Sequence, residues 1–116
     1  IHFIFTLLNK TEGGEIYIPK MPSFKPIHLA TALRNNVKLK EVGIREGEKL
    51  HEMLIDTAEA ERTLEFKDHF IIYPFNSKKF KGKKKPCFQY SSDTNKVWLN
   101  IEQIKSRLQT MQFDFI

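Results

Sequence analysis

Residues 43–52 read Gly-Ile-Arg-Glu-Gly-Glu-Lys-Leu-His-Glu, and the interpretation of the fold depends on them. Before them, residues 37–42 carry apolar side chains at strand-like spacing, and residues 46–54 carry apolar side chains in a helical pattern. We therefore predict a strand over 37–42, a turn at the first glycine and a helix over 46–54. Phosphate groups are often held at such a junction, because the first N–H groups of the helix point at the ligand. The 43–52 segment is accordingly predicted to bind a ligand.

Outward from this segment, the chain alternates between predicted strands and helices. Clusters of β-branched and aromatic residues predict strands over 15–18 and 70–73. Helical spacing predicts a helix over 26–33, and capping-box patterns predict a short helix over 56–62 and a closing C-terminal helix over 100–112. The order strand, helix, strand, helix predicts the α/β fold class.

The whole chain of 116 residues is predicted to form one domain, because no repeat or linker divides it. A chain of this size that begins at Ile1 is expected to be a fragment, whose fold a partner surface completes. Its single cysteine, Cys87, cannot form an internal disulfide and argues against a cysteine-based zinc site. A single cysteine fits a reducing compartment, so we expect a cytoplasmic location. No apolar run approaches the roughly 18 residues of a membrane span, so we expect no span.

The formal net charge of +5 suggests an acidic partner, but the positive charge is concentrated in one short segment. Six of the nineteen basic residues are lysines of a lysine-rich loop predicted over 78–87, and the rest of the chain carries thirteen basic and fourteen acidic residues. We therefore expect a solvated loop and no nucleic-acid partner. Because Phe80 and Phe88 lie near these lysines, a module that binds acidic partners is an alternative.

Arg45 and Glu48 are the principal candidates for ligand binding. A diphosphate suits the permanently charged, forked guanidinium of arginine, and a ribose diol suits a carboxylate that accepts two hydroxyl hydrogens. Gly47 between them would let a ligand approach the backbone. The alternative is a surface arginine beside acids that cap a helix, since such pairs at this spacing are common.

Lys20 is a further candidate, because it lies in the loop Pro19-Lys20-Met21-Pro22-Ser23 and could add positive charge to an anion site. Exposed lysine is the alternative. His51-Glu52 does not continue into the helical zinc pattern, so no metal site is expected. Cys87 has no recognisable activating arrangement and is not expected to be a nucleophile.

Two long motifs, in this order, resemble a known family. Residues 13–23 read Gly-Gly-Glu-Ile-Tyr-Ile-Pro-Lys-Met-Pro-Ser, and the 43–52 segment follows them. Together they resemble the C-terminal portion of the inverting UDP-N-acetylglucosamine 4,6-dehydratases, which are extended short-chain dehydrogenases/reductases of surface-polysaccharide and flagellin-sugar biosynthesis. The tail that begins Tyr-Ser-Ser-Asp at 90–93 is similar to the end of the same family. The chain departs from it at Glu46, where the family usually has proline, and in its lysine-rich loop.

The resemblance implies a small C-terminal substrate-binding α/β domain whose Rossmann half is absent. It implies that Arg45 contacts the diphosphate of a UDP-sugar, that Glu48 contacts its ribose, and that Lys20 lies beside the cleft. NADP and the catalytic tyrosine and lysine would belong to the absent half, so this chain would hold no catalytic residue. The full-length protein would be a homo-oligomeric dehydratase and epimerase. A related UDP-sugar epimerase and a non-catalytic interaction module are the alternatives.

Overall fold

The computed structural model describes residues 2–77 and 88–111, which form two compact units. The first unit contains residues 2–21, 53–77 and 88–91, and the second contains 22–52 and 92–111. The lysine-rich loop predicted over 78–87 lies outside the described residues. That the whole chain forms one domain stays a prediction.

The first unit is built on an antiparallel sheet of three strands in the order β1-β4-β3. Its strands are β1 (Ile16–Pro19), β3 (Thr63–Glu65) and β4 (His69–Ile72), and helix α1 (His2–Leu8) precedes β1. In the register of the sheet, Ile72 on the central strand lies opposite Ile16 on one side and Thr63 on the other. The strands predicted over 15–18 and 70–73 are thus found, each shifted by one residue.

The core of the first unit lies under this sheet. Strand β2 (Met53–Ile55) pairs with β5 (Tyr90–Ser91), and helix α3 (Thr57–Ala60) follows β2. The buried cluster consists of Ile18, Ile55, Ala60, Phe70 and Ile72, with Phe88 and Tyr90 packed against it. Helix α3 begins as predicted, because the Asp56 carboxylate accepts the Glu59 N–H at 2.7 Å in a complete capping box.

The second unit is centred on two helices that pack against each other, α2 (Pro26–Leu33) and α4 (Ile101–Thr110). Proline at the first position of α2 and a complete Asn100–Gln103 capping box on α4 explain where both helices begin. The helix predicted over 100–112 therefore has Asn100 as its cap and ends at Thr110, and residue 112 lies outside the described residues.

Two predictions around the 43–52 segment are wrong. Residues 37–42 form no strand, and no helix spans 46–54, where a turn is followed by β2 at Met53. Gly43 and Gly47 adopt positive φ angles of 77° and 86°, which interrupt both a strand and a helix. Leu50 is 77% exposed, so the apolar pattern of this stretch is not buried on a helix face.

The α/β fold class is confirmed by the described helices and sheets. Among the residues that the structure describes, no helix has the length and apolar character needed to cross a bilayer.

Candidate functional site

The centre of the candidate site is a tight turn over residues 45–48. The Glu48 N–H donates to the Arg45 carbonyl at 3.0 Å, which closes the turn, and the Arg45 N–H donates to Glu48 Oε2 at 2.9 Å. Gly47 has a φ of 86° at the third position, where a type II turn requires a positive φ and favours glycine. Arg45 and Glu48 are therefore brought together on one rigid turn.

The side chains of this turn are available to a ligand. Arg45 and Glu48 are both exposed, and within the described parts of the chain the Arg45 guanidinium makes no hydrogen bond or ion pair. One carboxylate oxygen of Glu48 is occupied by the Arg45 N–H, whereas Oε1 makes no hydrogen bond to any described residue. The turn thus offers a forked cation and a free carboxylate oxygen, which are the groups that a diphosphate and a sugar hydroxyl require.

The electrostatic contribution expected from a helix start is not found at this turn. Because no helix begins at residue 46, there is no row of free helical N–H groups and no macrodipole to attract a phosphate here. An anion at this turn would depend on the Arg45 guanidinium itself, together with the backbone at Gly47, where an added Cβ would have no described neighbour within 4 Å.

The end of the 43–52 segment is held by Ser92, which was not among the site residues predicted from the sequence. The Ser92 N–H donates to the Glu52 carbonyl at 2.9 Å, and the Glu52 N–H donates to Ser92 Oγ at 3.2 Å. The same hydroxyl lies 3.2 Å from His51 Nδ1. The available signal was the Tyr-Ser-Ser-Asp tail motif at 90–93, which contains this serine.

Lys20 belongs to the first unit, so it is not part of the same turn. Its ammonium group forms an ion pair with Glu65 Oε1 at 2.7 Å and lies 5.0 Å from the centre of the Phe70 ring. The strands explain this placement, because Lys20 follows β1, and Glu65 ends β3 two strands away in the same sheet. The Lys20 side chain is thus engaged within the fold.

The remaining candidates form no site in the described residues. His51 contacts Ser92, and no cluster of three or more potential metal-ligating side chains occurs among the residues that the structure describes. Cys87 lies outside the described residues.

Comparison with known proteins shows the class of protein to which this fold and turn belong. The chain belongs to a family of polysaccharide biosynthesis proteins, because the model of that family matches residues 1–74. More specifically, it is similar to the inverting UDP-N-acetylglucosamine 4,6-dehydratases of two Campylobacter jejuni strains, with 38% identity across 90% of this chain. The resemblance inferred from the sequence motifs is confirmed.

Two further relatives show how much of a longer protein the chain matches. An uncharacterized membrane protein of Methanocaldococcus jannaschii is 33% identical across 88% of this chain. The X-ray structure of Pen from Bacillus thuringiensis superposes with a TM-score of 0.70 and 25% identity across 92% of this chain. The chain spans only about a third of these proteins, namely 35% of each dehydratase, 33% of the archaeal protein and 33% of Pen.

Proposed function

We propose that this chain is the UDP-sugar-binding part of a nucleotide-sugar 4,6-dehydratase that acts on UDP-N-acetylglucosamine in the synthesis of a surface polysaccharide or glycan. The observation that carries the proposal is the turn over residues 45–48, on which the Arg45 guanidinium and Glu48 Oε1 make no hydrogen bond or ion pair with any described residue. The two similar Campylobacter jejuni proteins are named as dehydratases of this substrate, which supports the choice of ligand.

In this proposal Arg45 binds the diphosphate and Glu48 binds the ribose. A guanidinium can donate two parallel hydrogen bonds to phosphate oxygens, and its charge persists at every physiological pH. Glu48 Oε1 can accept a ribose hydroxyl while Oε2 keeps the Arg45 N–H, so the ligand would not have to break the turn. Because the nucleotide does not react, energy from its binding can orient the sugar at a reaction centre elsewhere.

Lys20 has a smaller part in the proposal. Its Nζ already lies 2.7 Å from Glu65 Oε1, so direct binding of a phosphate would require that ion pair to be exchanged. We therefore assign Lys20 a long-range electrostatic contribution at most.

The residues present do not fit NADP, the cofactor of the proposed full-length enzyme. The sequence contains no Gly-x-Gly-x-x-Gly, and its adjacent glycines, Gly13 and Gly14, precede a strand instead of joining a strand to a helix. No tyrosine is followed four positions later by a lysine. The cofactor and the chemical step would belong to other parts of the full-length protein.

Calorimetric titration of UDP-N-acetylglucosamine into the full-length protein tests the proposal. Arg45→Ala should weaken binding about 10- to 100-fold, the effect of losing a charge-assisted bidentate contact. The melting temperature should change little, because the Arg45 side chain is exposed and contacts no described partner. The affinity of Arg45→Lys should lie between that of the native protein and that of Arg45→Ala, since lysine keeps the positive charge but cannot donate two parallel hydrogen bonds. Arg34→Ala is the matched control, because Arg34 is an exposed arginine of the same unit that follows α2. Unchanged affinity in Arg45→Ala would exclude the diphosphate role.

A further inference from the structure

Among the described residues, the segment that carries the proposed UDP site is hydrogen-bonded to the rest of the chain at one end, through Ser92. Residues 37–52 form no helix and no strand. Within the described part of the chain, their hydrogen bonds are of two kinds, those inside the turn over 45–48 and those with Ser92. Ser92 therefore supplies the described hydrogen bonds that link this segment to the rest of the second unit.

Ser92 holds the segment through both its backbone and its side chain. Its N–H donates to the Glu52 carbonyl at 2.9 Å, and its Oγ accepts from the Glu52 N–H at 3.2 Å. The backbone of Glu52 is therefore held on both sides of its α-carbon. A serine hydroxyl can also donate one hydrogen bond while it accepts others. Ser92 Oγ can thus donate to His51 Nδ1 at 3.2 Å while it accepts from Glu52, and a methyl group could do neither.

Ser92 is itself fixed by a polar network within the second unit. Its carbonyl accepts a hydrogen bond from Ser23 Oγ at 3.0 Å, and Ser23 Oγ accepts one from Asn95 Nδ2 at 3.1 Å. The Ser23 N–H donates a hydrogen bond to the Val97 carbonyl, and the Ser23 carbonyl accepts one from the Leu99 N–H, each at 2.8 Å. A network of several satisfied members is more rigid than an isolated pair, so Ser92 is suited to act as a fixed support.

We propose that Ser92 is a positioning residue for UDP-sugar binding, which holds residues 51 and 52 so that the turn carrying Arg45 and Glu48 is preorganised for the ligand. The proposal rests on the proposed function of that turn. Ser92 would not touch the ligand. Its hydroxyl would lower the loss of conformational entropy on binding, because the segment is already ordered when the ligand arrives.

Affinity and amide hydrogen exchange of the full-length protein test this role. Ser92→Ala should weaken UDP-N-acetylglucosamine binding about tenfold, raise KM more than it lowers kcat, and speed amide exchange across residues 43–52. Ser92→Thr keeps the hydroxyl and should restore affinity to within about twofold. Ser106→Ala is the matched control, because Ser106 is an exposed serine on α4 of the same unit.

The outcomes separate this proposal from the proposed function. If Arg45→Ala weakens binding and Ser92→Ala does not, the UDP site stands and the role of Ser92 is wrong. If neither variant weakens binding, the proposed function fails, and the role of Ser92 fails with it. If Ser92→Thr binds as poorly as Ser92→Ala, the hydroxyl is not the positioning group.

A second variant keeps the proposal testable if Ser92→Ala does not fold. His51→Ala removes only the ring contact with Ser92 and changes an exposed residue. It should speed amide exchange in the 43–52 segment and weaken binding by a smaller factor than Ser92→Ala. Unchanged exchange and unchanged affinity in His51→Ala would overturn the proposal.

Discussion

Arg45 and Glu48 are joined by two hydrogen bonds that run in opposite directions. The N–H of Arg45 donates to the Glu48 carboxylate at 2.9 Å, and the N–H of Glu48 donates to the Arg45 carbonyl at 3.0 Å. The carboxylate therefore has a structural role at Oε2, whereas Oε1 accepts no hydrogen bond from any described residue. Its loss would affect both the turn and any ligand, whereas the loss of the guanidinium would affect only the ligand.

The first prediction concerns Gly47, whose φ of 86° is unfavourable for any residue with a side chain. Gly47→Ala adds a Cβ with no neighbour within 4 Å, so its effect is backbone strain of about 1 kcal/mol and not a clash. We expect the turn to open and UDP-N-acetylglucosamine to bind about fivefold more weakly, measured by calorimetry.

Gly13→Ala is the control for this experiment. Gly13 has a φ of 110° and also has open space around the added Cβ, but it lies in the other unit. Gly13→Ala should lose at least as much stability as Gly47→Ala, because its φ lies further from the left-handed region, but only Gly47→Ala should lose affinity. Equal losses of affinity in both would mean that general destabilisation, and not the turn, controls binding.

The second prediction concerns Glu46, which occupies the second position of the same turn. Proline is favoured at that position in type I and type II turns, because its ring fixes φ near the value that the position requires. Glu46→Pro should raise the free energy of unfolding by about 0.4–1 kcal/mol by restricting the unfolded chain, and it should preserve or improve UDP-sugar affinity. A marked loss of stability in urea unfolding would show that the backbone at residue 46 is incompatible with proline, and that the type II assignment is wrong.

The third prediction concerns Lys20, whose ammonium contacts Glu65 Oε1 at 2.7 Å and the face of Phe70. Lys20→Met keeps the apolar stem and removes the charge. Because the pair is partly exposed, we expect a loss of only about 1 kcal/mol in the free energy of unfolding, and a smaller loss of UDP-sugar affinity than in Arg45→Ala. An affinity loss as large as that of Arg45→Ala would place Lys20 in direct contact with the ligand.

The fourth prediction concerns acid stability. A hydrogen bond from the His69 ring, at 2.6 Å, lowers the pKa of the Asp68 carboxyl below its ordinary value of 3.8. Because the pKa is lowered in the folded state, the stabilisation is complete above the unfolded value and is lost as the pH falls through the folded value. Asp68→Asn should therefore be less stable than the native protein near pH 6, and the difference should shrink below 3.8.

Urea midpoints at several pH values measure this effect. Glu41→Gln is the control, because Glu41 is exposed and makes no hydrogen bond or ion pair with another described residue. The difference in urea midpoint between Glu41→Gln and the native protein should stay constant as the pH falls. A constant difference between Asp68→Asn and the native protein across the same range would contradict the prediction.

Elements with a local cause were predictable from the sequence. The caps at Asp56 and Asn100 depend on residues three positions apart, and both form the predicted reciprocal hydrogen bonds. Proline at position 26 likewise identifies the start of α2. The juxtaposition of Arg45 and Glu48 also follows from their spacing, although the predicted helix start was replaced by a turn.

Elements that depend on distant partners were not predictable in the same way. Strand β2 exists because Met53–Ile55 pairs with Tyr90–Ser91, and nothing within 46–54 reveals that partner. The apolar spacing of that stretch predicted a helix, but pairing with the distant strand β5 makes its last residues a strand. The contacts of Ser92 with Glu52 and His51 were missed for the same reason, since the residues are about forty positions apart in the chain.

The pairing of residues 52–55 with residues 90–92 has a consequence for how the gene can change. The two ends of the intervening stretch are fastened together by the β2–β5 ladder and by the Ser92–Glu52 hydrogen bonds. Closing a longer loop adds only about 0.6 kcal/mol for each doubling of its length. Insertions outside α3, β3 and β4 should therefore cost little and leave the pairing of residues 52–55 with 90–92 in place, whereas deletions within those elements would remove core residues of the first unit.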